Sequence, residues 1–143
     1  MKPLFEVKAL FLNRPKVIAA METATKAALG RFGAFVRKSA RSSIRRRKGV
    51  SRPGQPPTSR TGLLKKFLFY TFDAQSQSVV IGPAQLKGSA FGTAPEALEY
   101  GGTTTTQRRG GAGTVEIAAR PFMGPAFEKG TAKLDEFWAK SLR

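Results

Sequence analysis

A chain of 143 residues with 41% hydrophobic residues and 11 Phe is long enough for one domain with a real core, and its formal charge is +16. The absence of Cys excludes disulfides and thiolate zinc sites, and the absence of His excludes imidazole ligands and every His-based triad or acid–base pair. No window approaches the roughly 20 apolar residues of a membrane span, and Met1-Lys2-Pro3-Leu4-Phe5-Glu6 lacks the charged-then-apolar order of a signal peptide.

In chain order, residues 13–48 read as one long helix. Asn13 is a plausible N-cap, Pro15 is tolerated in the first turn, and Gly49 is a sensible stop. Val17, Met21, Ala24, Ala28, Phe32, Phe35, Val36 and Ile44 keep one apolar stripe, with most cations elsewhere around the cylinder. Such a helix would reach roughly 54 Å. That is long for a domain of this size, so part of the stripe is expected to meet another subunit. Gly30 and Gly33 predict a bend or a close approach by another backbone.

Residues 49–62 form a Pro-rich arm, which Pro56-Pro57 keeps extended. Residues 63–82 read as a hairpin: a strand over 63–72, a turn over 73–78, and Val79-Val80-Ile81-Gly82 returning. Its apolar residues do not alternate cleanly, so both faces are expected to be covered, one by the long helix. Residues 86–118 hold a short helical turn at Ala94-Pro95-Glu96-Ala97-Leu98-Glu99-Tyr100 and then an extended, projecting hairpin with the basic tip Arg108-Arg109. Residues 122–142 close the chain as a second helix opened by Pro125, with Phe127, Leu134, Phe137, Trp138 and Leu142 on its apolar side. The fold class expected is α+β: two helices on a small, mostly antiparallel sheet.

Between Glu22 and Asp73 the sequence holds 13 Lys or Arg and not one carboxylate; its densest part is Arg45-Arg46-Arg47-Lys48. A one-signed block of this length repels itself unless something negative lies nearby. Nucleic acid is the first candidate partner and an acidic protein surface the second; a merely solvated basic face is the plain alternative. The residues expected to face such a partner are Arg41, Arg45, Arg46, Arg47, Lys48, Arg52, Arg108 and Arg109. No aromatic side chain adjoins the cluster, so contact with nucleic acid would be electrostatic and sequence-independent.

Nothing in the sequence assembles a catalytic constellation. Glu96 with Glu99, and Asp135 with Glu136, are carboxylate pairs in settings that would not separate their pKa values. Gly110-Gly111-Ala112-Gly113 does not open a helix with Lys-Ser or Lys-Thr, so it fails the phosphate-loop pattern and reads as a hairpin tip. No enzyme activity, metal or cofactor is expected.

Two dispersed motifs are more specific. One is Gly54-Gln55-Pro56-Pro57-Thr58-Ser59-Arg60-Thr61-Gly62-Leu63-Leu64 before the hairpin that ends at Pro83. The other is Leu98-Glu99-Tyr100-Gly101-Gly102 with Ala119-Arg120-Pro121-Phe122-Met123-Gly124-Pro125 some twenty residues on. In this order they resemble a family of small head–tail joining and tail-completion proteins of long-tailed bacteriophages, whose relatives include the minor tail protein Z type and prophage virion morphogenesis proteins. The resemblance covers roughly residues 15–140. It puts Pro56, Pro57, Arg60, Thr61 and Gly62 at the entry to the hairpin. Glu99 and Gly101 fall in a Leu-Glu-x-Gly position, and Arg120, Pro121 and Phe122 in an Arg-Pro-Phe position. A Glu99–Arg120 pair, within or between subunits, is one expectation.

The resemblance implies a structural virion protein of the neck, made in the host cytoplasm. It would form a ring of six or twelve copies, six being expected, against connector or stopper, tail-terminator and tail-tube neighbours. Genomic DNA in the lumen is a further candidate partner; no membrane is involved. The alternative function, resting on charge alone, is a sequence-independent nucleic-acid-binding protein acting through its basic helix.

Overall fold

The computed structural model describes residues 13–84, 94–108 and 111–142. Its element order is α1 (Arg14–Ser43), α2 (Leu63–Lys66), β1 (Leu68–Asp73), β2 (Ser78–Pro83), α3 (Ala94–Tyr100), β3 (Gly102–Arg108), β4 (Gly111–Ile117), α4 (Gly124–Thr131) and α5 (Leu134–Ala139). This is an α+β fold. The strands form two separate two-stranded antiparallel sheets, β1–β2 and β3–β4, in place of the single small sheet expected.

The spine is α1, packed by α4 and α5 and by the β1–β2 hairpin. Asn13 caps it as expected, its side-chain oxygen accepting from the Lys16 N–H, with Pro15 in the first turn. Its buried line, Ala24, Ala28, Phe32, Val36 and Ala40, repeats every four residues and leads into a cluster with Ile44, Leu68, Phe122 and Ala126.

The helix stops at Ser43, five residues before the predicted end. Ser42 and Ser43 turn their hydroxyls onto the carbonyls of Ser39 and Ala40, the local competition that weakens a helix end. Four consecutive cations then add like-charge repulsion within a turn. Ile44 leaves in extended geometry (φ −75°, ψ 116°), which carries its 1%-exposed side chain into the core.

The two helical glycines separate cleanly. A Cβ on Gly33 would come within 2.7 Å of Tyr70 Cδ2 and 2.8 Å of Val79 Cγ2, whereas one on Gly30 meets nothing within 4 Å. Close approach by side chains of the β1–β2 hairpin, not by another backbone, therefore explains Gly33 and leaves Gly30 open. Gly30→Ala is expected to stabilise by about 0.5–1 kcal/mol through backbone entropy. Gly33→Ala should cost about 1 kcal/mol, because overpacking outweighs the same gain. Urea midpoints moving in the same direction for both variants would contradict this.

The predicted strand over 63–72 divides. Gly62 takes φ +78°, and α2 makes one turn before β1 begins. In the register Tyr70↔Ile81 and Phe72↔Val79, these side chains share a face with Leu68, toward α1. The opposite face is not covered as expected, since Phe69 is 48% and Val80 60% exposed. In the connecting turn, Asp73 accepts from the Gln75 N–H and the Ser76 hydroxyl. The Ser76 bond, then the Gln75 bond, hold its carboxyl below the ordinary value.

The closing helix is also two helices. Gly130 lets α4 approach so closely that a Cβ there would fall 2.5 Å from Val36 Cγ2. After it, Lys133 N–H turns back onto the Gly130 carbonyl and the chain restarts as α5. The expected apolar side is only partly buried: Phe127 meets Phe32 edge-on at 5.5 Å, yet it is 53% exposed and Leu142 74%. No helix among the described residues is long and apolar enough to cross a membrane.

Candidate functional site

The basic cluster does not lie on a helix. From Ile44 the chain makes an excursion that closes on itself: Arg45 bridges Thr58 in parallel, and the Ser59 N–H donates to the Arg45 carbonyl at 2.9 Å. Across its neck, Thr58 Oγ1 donates to the Gly49 carbonyl at 2.6 Å and Lys65 Nζ approaches the Ile44 carbonyl at 3.4 Å. The tip is a turn in which the Gln55 N–H donates to the Arg52 carbonyl, with Pro53 and Gly54 between them. Gly54 has φ +76°, the sign a type II turn needs there.

The segment that follows β4 fastens the tip. The Gly54 N–H donates to the Ala119 carbonyl at 2.8 Å. Arg120 Nε donates to the Ser51 carbonyl at 3.0 Å, while its Nη1 holds the Ala118 carbonyl at 3.0 Å. Arg45, Arg46, Arg47, Lys48 and Arg52 are all exposed on this fastened loop, and Arg41 is half-buried on the last turn of α1. Among the described residues no carboxylate pairs with any of them; the ion pair found there is Lys140–Glu136 on α5. Arg37, from the same basic stretch, is instead half-buried, its Nε donating to the Leu68 carbonyl at 2.6 Å. Arg108 ends β3, and Arg109 lies outside the described residues.

The motif residues converge. A cleft of about 680 Å³ is lined from both motifs, by Arg60, Thr61, Leu64, Glu99 and Phe122 among others. Within it Glu99 does not pair with Arg120. Its Oε2 accepts from the N–H groups of Phe122 and Met123 at 2.9 and 3.0 Å, and its Oε1 from that of Gly124 at 2.7 Å. It thereby caps α4, whose own N-cap residue, Met123, offers no side-chain acceptor.

The other motif positions have equally specific tasks. Gly101 ends α3 at φ +81°, and a Cβ there would stand 3.2 Å from the Ala119 nitrogen. Pro57 and Phe122 are fully buried. Gly62, also left-handed, donates its N–H to Ser59 Oγ. Pro56 and Pro121 are half-buried, and Arg60 and Thr61 are exposed. The clamp between Arg120 and the basic loop was invisible in the sequence, because 69 residues separate Arg120 from Ser51.

The β3–β4 hairpin is the other candidate contact element. Thr104, 4% exposed, and half-buried Val115 anchor its base. From Thr105 outward the sequence to Thr114 contains no apolar side chain larger than Ala112. A two-stranded ribbon with nothing to bury is marginal in water. Amides of Thr105 and Thr114 are therefore expected to exchange quickly in the isolated protein and to gain protection in its assembly. Equal protection in both states would contradict this.

Compared with protein-family models, with curated proteins and with solved structures, the chain matches none.

Proposed function

We propose that this protein is a structural component of a bacteriophage neck, a ring that joins or completes the tail at the head–tail interface and surrounds the DNA channel. The observation that carries this reading is the exposed first part of α1. Val17 and Met21 stand seven residues before Ala24 and Ala28 and so continue the buried stripe. Yet residues 14–23 are all exposed, with Val17 at 41%, Ile18 at 52% and Met21 at 63%. About ten residues, or roughly 15 Å of amphipathic helix, thus project past the core. In a ring, a neighbouring copy would cover this stripe. The order of the sequence motifs, from the Pro-Pro arm to Arg120-Pro121-Phe122, supports the neck assignment, and the role is mechanical and not catalytic.

Val17→Glu with Met21→Glu tests the observation. The substitutions fall on exposed positions, so folding should change by less than about 0.5 kcal/mol while assembly in native mass spectrometry is lost. Undiminished assembly would remove this support.

A second reading, sequence-independent nucleic-acid binding outside a virion, is favoured by the carboxylate-free loop between Ile44 and Ser59 alone. It accounts for the charge but not for the projecting apolar helix.

A further inference from the structure

We infer that the loop over residues 45–52 is a preorganised phosphate-binding element for nucleic acid, and that Arg120 is its positioning residue. The inference deepens the reading of the basic surface given above and does not depend on the ring.

Three observations carry it. First, Arg45, Arg46, Arg47, Lys48 and Arg52 are exposed on one short excursion with no paired carboxylate among the described residues. Second, the backbone beneath them is fixed at both ends, by the Arg45–Thr58 bridge and Thr58 Oγ1 at the neck and by Gly54 and Arg120 at the tip. Flexible basic tails lose conformational freedom on binding; a loop already held in place loses far less, which raises affinity without a new contact. Third, Arg120 is a half-buried cation turned onto backbone carbonyls. Its Nε and Nη1 are engaged with the Ser51 and Ala118 carbonyls, so it adds order to the cluster while two of its donors are turned away from any ligand.

The composition of the loop favours nucleic acid over an acidic protein. A specific protein interface needs an apolar or aromatic centre ringed by polar groups. The loop offers only Val50, 80% exposed, among its cations. A phosphate backbone asks for no such centre, because repeated charge and counterion release supply the affinity. Four of the five cations are arginines, whose forks fit phosphate oxygens.

The two roles separate in a salt titration. Binding of the full chain to a short mixed-sequence DNA duplex is measured from roughly 50 to 200 mM salt for wild type, Arg46→Gln/Arg47→Gln and Arg120→Lys. The Gln pair should lower the slope of log K against log salt by about 0.9–1.8, since each phosphate contact contributes about 0.9. Arg120→Lys keeps the charge but loses the two-point grip on the loop. It should leave the slope unchanged and weaken binding about 3–10-fold at every salt concentration, the loss of preorganisation. The urea midpoint for the Gln pair should stay at wild type, showing that it does not act through unfolding.

An unchanged slope in the Gln pair overturns the phosphate contact. Wild-type affinity in Arg120→Lys overturns the positioning role. Tighter binding to poly-glutamate than to DNA assigns the loop to an acidic protein and overturns the choice of partner. A ring that fails to assemble while these salt slopes hold would refute the neck assignment alone.

Discussion

Phe122→Ala should be the most damaging single truncation, lowering stability by about 3–5 kcal/mol. Phe122 is 1% exposed and leads the fully buried side chains by volume. It lies in the cluster where the end of α1 (Val36, Ala40), Ile44 just beyond it, the start of β1 (Leu68) and α4 (Ala126) meet. Alanine would leave a cavity where those elements converge, and none can close it without losing its other contacts. Against a typical total of about 5–15 kcal/mol, such a loss removes a large fraction of the stability. Phe69→Ala is the comparison, since that ring is 48% exposed and its loss should cost less than about 1.5 kcal/mol. Urea unfolding with unchanged m-values would measure both. Similar losses for the two Phe variants would mean that the core is centred elsewhere.

Glu99→Ala should cost about 2–3 kcal/mol, more than an ordinary helix cap, because one carboxylate serves three backbone donors. The lost bonds tie α3 to the first turn of α4 across 23 to 25 residues of sequence. Glu99→Gln keeps one acceptor oxygen and should cost about half as much. The amides of Phe122, Met123 and Gly124 should lose hydrogen-exchange protection in both variants while those of β1 keep theirs. A Glu99→Ala protein within about 0.5 kcal/mol of wild type would show that water replaces the carboxylate fully.

The local signals in the sequence were those of periodicity and turn chemistry. Asn13 with Pro15, the four-residue apolar repeat of α1, the turn between β1 and β2, the short helix α3 with Gly101 behind it, and the β3–β4 arms all follow from spacing or from a residue with one conformational use. What escaped it was decided by contacts between distant segments. The stripe through Ile44 pointed past Ser43; the local signals against it, the Ser42 and Ser43 hydroxyls and the run of cations, are joined by the burial of Ile44 beside Leu68 and Phe122. The close approach of Gly130 to Val36, which precedes the break between α4 and α5, involves a partner 94 positions away.

The candidate site divides the same way. The cations of residues 45–52 were legible as charge, but their exit from the helix and the clamp on their backbone were not. Glu99 and Arg120 stood out as a possible pair of opposite charges. Each instead takes backbone partners, Glu99 the N–H groups of α4 and Arg120 the Ser51 and Ala118 carbonyls. Opposite charge at two motif positions says nothing about which of many backbone groups lies nearer.

The neck assignment is tested most directly by counting copies of this chain in purified phage particles, by quantitative mass spectrometry against a capsid protein of known number. The proposed ring predicts six copies per particle, or twelve, and a matching oligomer in native mass spectra of the purified protein. A protein absent from particles and monomeric when purified would contradict it.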